Sequence, residues 1–191
     1  VTERGAEPGA DGVLRCPWGN APDMTAYHDT EWGRPVRDDR GLFERVSLEA
    51  FQSGLSWAVI LRKREGFRAA FAGFDPEVVA GFGEEDRARL LADAGIVRNR
   101  AKIDATIANA RAYLELDEPF TELLWSFAPD DHPAPRTLAD VPAVTPESTA
   151  LAKALKKRGF RFVGPTTAYA LMQATGMVDD HLADCVVRTG R

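Results

Sequence analysis

The chain has few of the features that would place it outside the cell or in a membrane. It has only two cysteines in 191 residues, Cys16 and Cys185, far too few and too distant for a disulfide-dense secreted scaffold. No apolar run approaches the roughly 20 residues of a membrane-spanning helix. The opening VTERGAEPGADGV lacks the apolar centre of a signal peptide and reads as a flexible polar lead-in over residues 1–13. Residues 14–191 are then a single domain, and the cytoplasm is the expected compartment. No internal repeat and no low-complexity block is present. The excess of basic charge common in nucleic-acid binders is also missing, since the net charge is −5. Charge is unevenly spread, however. Residues 151–191 hold seven Lys/Arg against three Asp/Glu. A local basic patch is enough to meet phosphates, whereas overall charge acts mainly on solubility and encounter.

Alternating strand patterns are scarce too, and helical spacing dominates. Residues 40–54 place Leu42, Phe43, Val46 and Ala50 on one face. Residues 84–95 place Ala88, Leu91 and Ala92 together, with a stop at Gly95. Residues 100–116 carry Ile103, Ile107, Ala110 and Leu114. Thr145 and Pro146 make an N-cap and first-turn pair for a helix ending at Gly159. A further helix is expected over 166–176 around Tyr169, Leu171 and Met172. At 45% hydrophobic residues the chain can bury a sizeable core. The reading is an all-α fold of two helical lobes, joined through the Pro-rich connector 129–142.

Metal-ligating residues are few: Cys16, Cys185, His28, His132 and His181. His181 and Cys185 are four apart, so a helix there would put both on one face. With Cys16 and His28 they would make a closed Cys2His2 set, suited to a structural zinc rather than a catalytic one. The alternative is two unrelated buried cysteines and two surface histidines. Spacing alone does not decide between them. His132, in PDDHPAP, reads as a plain surface histidine.

Residues 152–170 read as helix, tight turn and helix. Gly159 ends the first helix, and Gly164 lets a backbone approach the second near Thr166 and Thr167. Free N–H groups there could seat a phosphate without reading a base, with Lys156, Lys157, Arg158 and Arg161 around it. An ordinary helical hairpin with a solvated basic face gives the same composition.

One carboxylate stands out. Glu49 shares the apolar stripe of its helix with Leu42 and Val46, where an acid is unusual unless paired or functional. The alternative puts it at the stripe's edge, reaching for solvent.

FRFVGPTTAYALMQATGMVDDH, residues 160–181, resembles the hairpin region of the helix-hairpin-helix DNA glycosylase superfamily, and residues 91–114 resemble its preceding helix pair. More narrowly, AYHDTEWG (26–33), LEAFQSGLSW (48–57), FDPEVVA (74–80), AGIVRNRAKI (94–103), LWSFAP (124–129) and ALKKRGFRFVGPTTAY (154–169) are similar to the 3-methyladenine DNA glycosylase I family. The likeness runs from Cys16 to Cys185. It implies a two-lobed all-α helix-hairpin-helix fold, and double-stranded alkylated DNA as partner. It also implies excision of a flipped 3-methyladenine, which is released as the free base. A structural Zn2+ on Cys16, His28, His181 and Cys185 would join the two ends. Tyr27, Trp32 and Trp57 match the family's pocket aromatics, with Met24 at one wall in place of an aromatic found in some members. Glu49 matches the base-reading carboxylate, accepting hydrogen bonds from the base. Core packing is the alternative for the aromatics; Trp18 and Trp125 are left as core or pocket wall.

The loop 52–55 is expected to wedge into the gap left by the flipped nucleotide, with Leu55 as plug, Gly54 permitting close approach, and Gln52 beside them. Lys157, Arg161, Gly164, Thr166 and Thr167 are the expected phosphate contacts. Asp179, in ValAspAspHis, falls where the acid-dependent branch of the superfamily has its catalytic aspartate. It either faces the sugar and stabilises developing positive charge or caps the helix bearing His181. The hairpin position used by Schiff-base lyases holds no lysine within GPTT (164–167), which implies a monofunctional hydrolase. A monomer is expected. A lesion-binding protein without turnover and a zinc hydrolase of a small substrate are the competing classes. The base range turns on the dimensions near Met24 and Trp57.

Overall fold

The computed structural model describes residues 4–190. Its regular structure is mostly helical. A two-residue antiparallel pair, β1 (Glu7–Pro8) with β2 (Leu14–Arg15), precedes α1 (Thr25–Thr30), α2 (Asp39–Gln52), α3 (Trp57–Ala70), α4 (Pro76–Ala80) and α5 (Glu84–Ala92). After these come α6 (Arg100–Leu114), α7 (Phe120–Trp125), α8 (Pro146–Lys157), α9 (Pro165–Ala174) and the short α10 (Val186–Thr189).

Local chemistry sets most boundaries. The Asp38 side chain caps α2 by accepting from Gly41 N–H, Asn99 caps α6, and Thr145 caps α8 ahead of Pro146. At the end of α8, Gly159 sits at φ +89°, and Phe160 N–H returns to the Leu155 carbonyl. That is a Schellman ending, which favours glycine at the left-handed residue. Asp39 joins α2 to α7, accepting from Tyr113 Oη, Thr121 N–H and Thr121 Oγ1.

A large apolar cluster runs from Leu42 to Val178, with Phe51, Phe67, Phe71 and Phe74 in a chain of ring contacts. A second, small cluster gathers Cys16, Leu182, Cys185 and Val187.

Several sequence expectations change. Residues 4–13 are not a loose lead-in. They form the β1–β2 hairpin, with Ala6 N–H on Asp184 and Leu138 N–H on the Arg4 carbonyl; residues 1–3 lie outside the described residues. In α5 the apolar spacing picked only part of the inward face: Leu91 packs against the core, but Ala88 and Ala92 are exposed, and Leu90, outside the pattern, is buried. The helix ends at Ala92, before Gly95, and the close packing there constrains Gly66, where a Cβ would meet the Gly95 carbonyl at 2.4 Å. Leu114 is exposed at the last turn of α6. The Pro-rich connector is tied to the C-terminal segment, where the Pro135 carbonyl accepts from Ala183 N–H. His132 is not a plain surface residue. Its Nε2 lies 2.6 Å from Oδ1 of the buried Asp180.

Candidate active site

α1, α2, α3 and α9 surround a cavity of about 290 Å3, at the small end of ligand pockets. Trp18, Met24, Tyr27, Trp32, Glu49, Gln52, Trp57, Ala170 and Gln173 line it. The sequence placed Met24, Tyr27, Trp32, Glu49 and Trp57 here; it left Trp18 undecided, and the structure makes it a wall. Trp125 belongs to the core instead, its Nε1 donating to the Val36 carbonyl and its ring under the Arg37 guanidinium.

Helix geometry explains how an acid comes to lie here. Glu49 continues the buried stripe of Leu42 and Val46 and emerges where α2 meets the cavity. It is 4% exposed, and no hydrogen-bond partner for its carboxyl lies among the described residues. Burial pushes its pKa up to about 8, opposed by Arg45 one turn back. Tyr27 is also buried, with its ring 5.4 Å from that of Trp57. Burial and the nearby Glu49 raise its phenol well above the usual range. Trp57 Nε1 is a buried donor with no partner among the described residues. Beside the cavity, Glu31 holds Arg64 through two bonds of 2.6 and 2.9 Å and meets Arg45 at 3.3 Å.

The loop after α2 is a tight turn in which Leu55 N–H donates to the Gln52 carbonyl at 2.7 Å. Gly54 at φ +79° supplies the left-handed residue that such a turn needs. Leu55 is exposed, not folded inward. Sequence reading missed what fixes this loop. The buried Lys102 of α6 donates to the carbonyls of Phe51 and Ser53, at 2.9 and 2.5 Å. A lysine at N3 of an amphipathic helix gives no sign of such a reach.

The hairpin from α8 to α9 is pinned by Asn109, which donates to the Arg161 carbonyl and accepts from Arg161 N–H. Phe162 takes φ +59° and is exposed. Gly164 sits at an ordinary φ with nothing within 4 Å of a Cβ, so the protein itself does not demand glycine there. Lys157, Arg161 and Thr166 are exposed around it, with Thr167 partly so.

On the far side of α1, Cys16, His28 and Cys185 bring their ligand atoms within 4.8 Å of one another, all buried. Cys185 Sγ to His28 Nε2 is 3.6 Å. A tetrahedral zinc with S and N bonds of about 2.3 and 2.1 Å separates its ligands by roughly 3.6 Å, so these three fit the ion. The two thiols share a hydrogen bond that holds Cys185 below the usual range and pushes Cys16 above it, so the pair without an ion favours one thiolate. His181 is buried alongside with its ring 4.8 Å from that of His28, but its Nε2 faces the His28 carbonyl at 3.2 Å. It has to turn to become a fourth ligand. The stretch from His181 to Cys185 is irregular rather than helical, so a helical i, i+4 face does not bring those two residues together.

Both histidines have Nδ1 on a carboxylate at 2.7 Å, Asp29 for His28 and Asp179 for His181. Asp29 is in turn held by Arg15. Asp179 is not among the residues lining the cavity. Its carboxyl also accepts from His181 N–H, and Arg188 donates to its carbonyl. It caps no helix there, because none begins before Val186.

The sequence profile of the methyladenine glycosylase family matches residues 18–189. The chain belongs to that family. It is 50% identical over 182 residues to DNA-3-methyladenine glycosylase 1 of Escherichia coli (strain K12), covering 92% of this chain and 97% of that protein. It is 47% identical over 184 residues to the DNA-3-methyladenine glycosylase of Haemophilus influenzae, covering 93% and 99%. A Staphylococcus aureus 3-methyladenine DNA glycosylase I, solved to explain 3-methyladenine recognition, matches with TM-score 0.86 at 36% identity over 91% of this chain and 96% of that one.

Proposed function

We propose that the protein is a DNA repair glycosylase that excises 3-methyladenine from alkylated DNA. The observation that carries this is Glu49: a buried carboxyl, without a protein partner, among aromatic walls. In DNA, 3-methyladenine is a cation with a weakened glycosidic bond. Inside the cavity it meets the faces of Trp and Tyr and a carboxylate that accepts its N–H groups. The cation draws the Glu49 pKa down and ionises it. Neutral adenine brings no charge to offset that desolvated carboxylate, so undamaged DNA is disfavoured. The bond from C1′ to N9 then breaks, and its electron pair leaves with the base and neutralises it. Water adds hydroxide to C1′ and releases one proton. The products are free 3-methyladenine and an abasic site.

The DNA side of the reading rests on the two exposed turns. Leu55 is the wedge on a glycine turn braced by Gln52 and Lys102. Lys157, Arg161 and the N–H groups after Gly164 take phosphates, with the open space at Gly164 left for the backbone of a double-stranded substrate. In this reading the two turns belong to the two lobes of a helix-hairpin-helix fold. No amine stands at 164–167 to attack C1′, so the enzyme hydrolyses without cutting the strand. A zinc held by Cys16, His28 and Cys185, with His181 turned in, would supply structural closure alone. We read the enzyme as a cytoplasmic monomer, in keeping with free, buried cysteines.

Chromatography of bases released from methylated DNA tests this. Free 3-methyladenine is the expected product. Release of 7-methylguanine without 3-methyladenine would overturn the reading, and stable lesion binding with no released base would make the protein a binder.

A further inference from the structure

α9 contributes two residues to the cavity wall, Ala170 and Gln173, one turn apart, while Tyr169 and Met172 face the core. Gln173 does not move freely there. Its Nε2 donates to Asp180 Oδ2 at 2.8 Å. The same oxygen accepts from Tyr169 Oη at 2.6 Å, and the other carboxyl oxygen lies 2.6 Å from His132 Nε2. Asp180 is buried at 3% exposure, so three side chains converge on one enclosed acceptor.

An amide can present either its donor or its acceptor, and the network around it decides which. A carboxylate accepts and cannot donate. Turning the Gln173 amide over would set its Oε1 against Asp180, oxygen to oxygen. Nε2 is therefore committed to Asp180, and the carbonyl Oε1 is what Gln173 offers the cavity.

We propose that Gln173 is a specificity-determining residue, presenting Oε1 as a fixed acceptor to the exocyclic amino group of the bound base. His132 and Tyr169 act on it through Asp180 as positioning residues. This rests on the base-pocket reading and adds to it a second acceptor, from a different helix than Glu49. The amino group has two N–H bonds, and Glu49 and Gln173 take one each. A base with a carbonyl in that place sets lone pairs against Oε1, and a fixed amide cannot rotate to relieve the clash.

The tryptophans in the wall allow a direct test by fluorescence titration with free 3-methyladenine and with 3-methylhypoxanthine, which has oxygen in place of the amine. Gln173→Met keeps the side-chain length without an acceptor. It is expected to weaken 3-methyladenine binding about tenfold, the value of one hydrogen bond left unmade, with 3-methylhypoxanthine binding unchanged or tighter and Tm near wild type. Gln173→Leu is the second variant should methionine pack badly. His132→Ala is expected to narrow the ratio of the two affinities in the same direction, by about threefold, because Tyr169 still holds Asp180. A wild-type ratio preserved in folded Gln173→Met, or in Gln173→Leu, overturns the inference. Wild-type protein that binds neither base overturns the pocket reading itself.

Discussion

Tyr27 and His28 are neighbours on α1 and face opposite ways. Tyr27 turns into the cavity, where a buried carboxyl and a buried indole N–H lack partners among the described residues. His28 turns into the cysteine cluster, where each imidazole has one nitrogen on a carboxylate and the other at a sulfur or carbonyl. Unpaired buried groups cost stability, so a fold keeps them where something else completes them. The contrast separates a surface built for a ligand from one built to hold the chain. The two still touch. The Trp18 ring packs edge-on against His28, and that of Trp32 against His181.

The sharpest way to break this contrast is at Glu49. Glu49→Gln is expected to lower excision of 3-methyladenine about 10- to 10^2-fold, the loss of one charge-assisted bond. The fold should gain. In the unfolded chain Glu49 ionises near pH 4.5, and in the fold near pH 8. Below pH 4.5 it is neutral in both states and burial costs it nothing extra. As pH rises from 4.5 to 8 the unfolded state ionises first, and stability falls by about 1.4 kcal/mol for each pH unit climbed. Glu49→Gln, neutral throughout, should therefore melt above wild type by several degrees at pH 8 and alike near pH 4. For the same reason wild-type kcat/KM should climb toward pH 8 as Glu49 ionises, and the variant's should lose that limb. A variant no more stable at pH 8 would mean that Glu49 is paired after all.

The cysteine cluster should respond in the opposite sense. Removing the proposed zinc with a chelator, or Cys185→Ser, is expected to lower stability by roughly 3–4 kcal/mol, or Tm by about 6–15 °C for a chain of this size. Metal analysis should give one zinc per chain in the wild type and less in the variant. Through Trp18 and Trp32 the pocket should loosen as well, with weaker binding of free 3-methyladenine. Chelated, folded protein that binds the base as before would show that the two regions are independent.

Much of this contrast was legible in the sequence, for identifiable reasons. Glu49 was exposed as unusual by the helical period of α2, which needs only local geometry. The caps at Thr145 and the Gly159 ending are local too, and they fall where the sequence puts them. What escaped depends on contacts distant in the chain. Lys102 reaches loop carbonyls about fifty positions back, and His132 meets an aspartate 48 residues on. In α5 the alanines suggested one face, but a short helix with a single buried leucine follows the surface it covers, not its own period. Gln173 looked like any polar helix residue until Asp180 was seen beneath it.

Asp179 carries the smallest expected effect and the most direct check on where the boundary between the two regions runs. It follows the cavity helix in sequence, yet its carboxyl lies on His181. As the partner of the histidine proposed as fourth zinc ligand it would set the ring's tautomer and direction, a role whose loss lowers metal affinity about 10- to 100-fold. Asp179→Asn keeps the size and one acceptor but removes the charge. Excision by zinc-loaded Asp179→Asn is expected to stay within about twofold of wild type, because the Asp179 carboxyl is engaged by His181 Nδ1 and lies off the cavity lining. Zinc retention in a competition with a chelator should fall. A hundredfold loss of excision with zinc still bound would move Asp179 into the catalytic side, and the carboxylate that orders the metal ligand would then also serve the sugar.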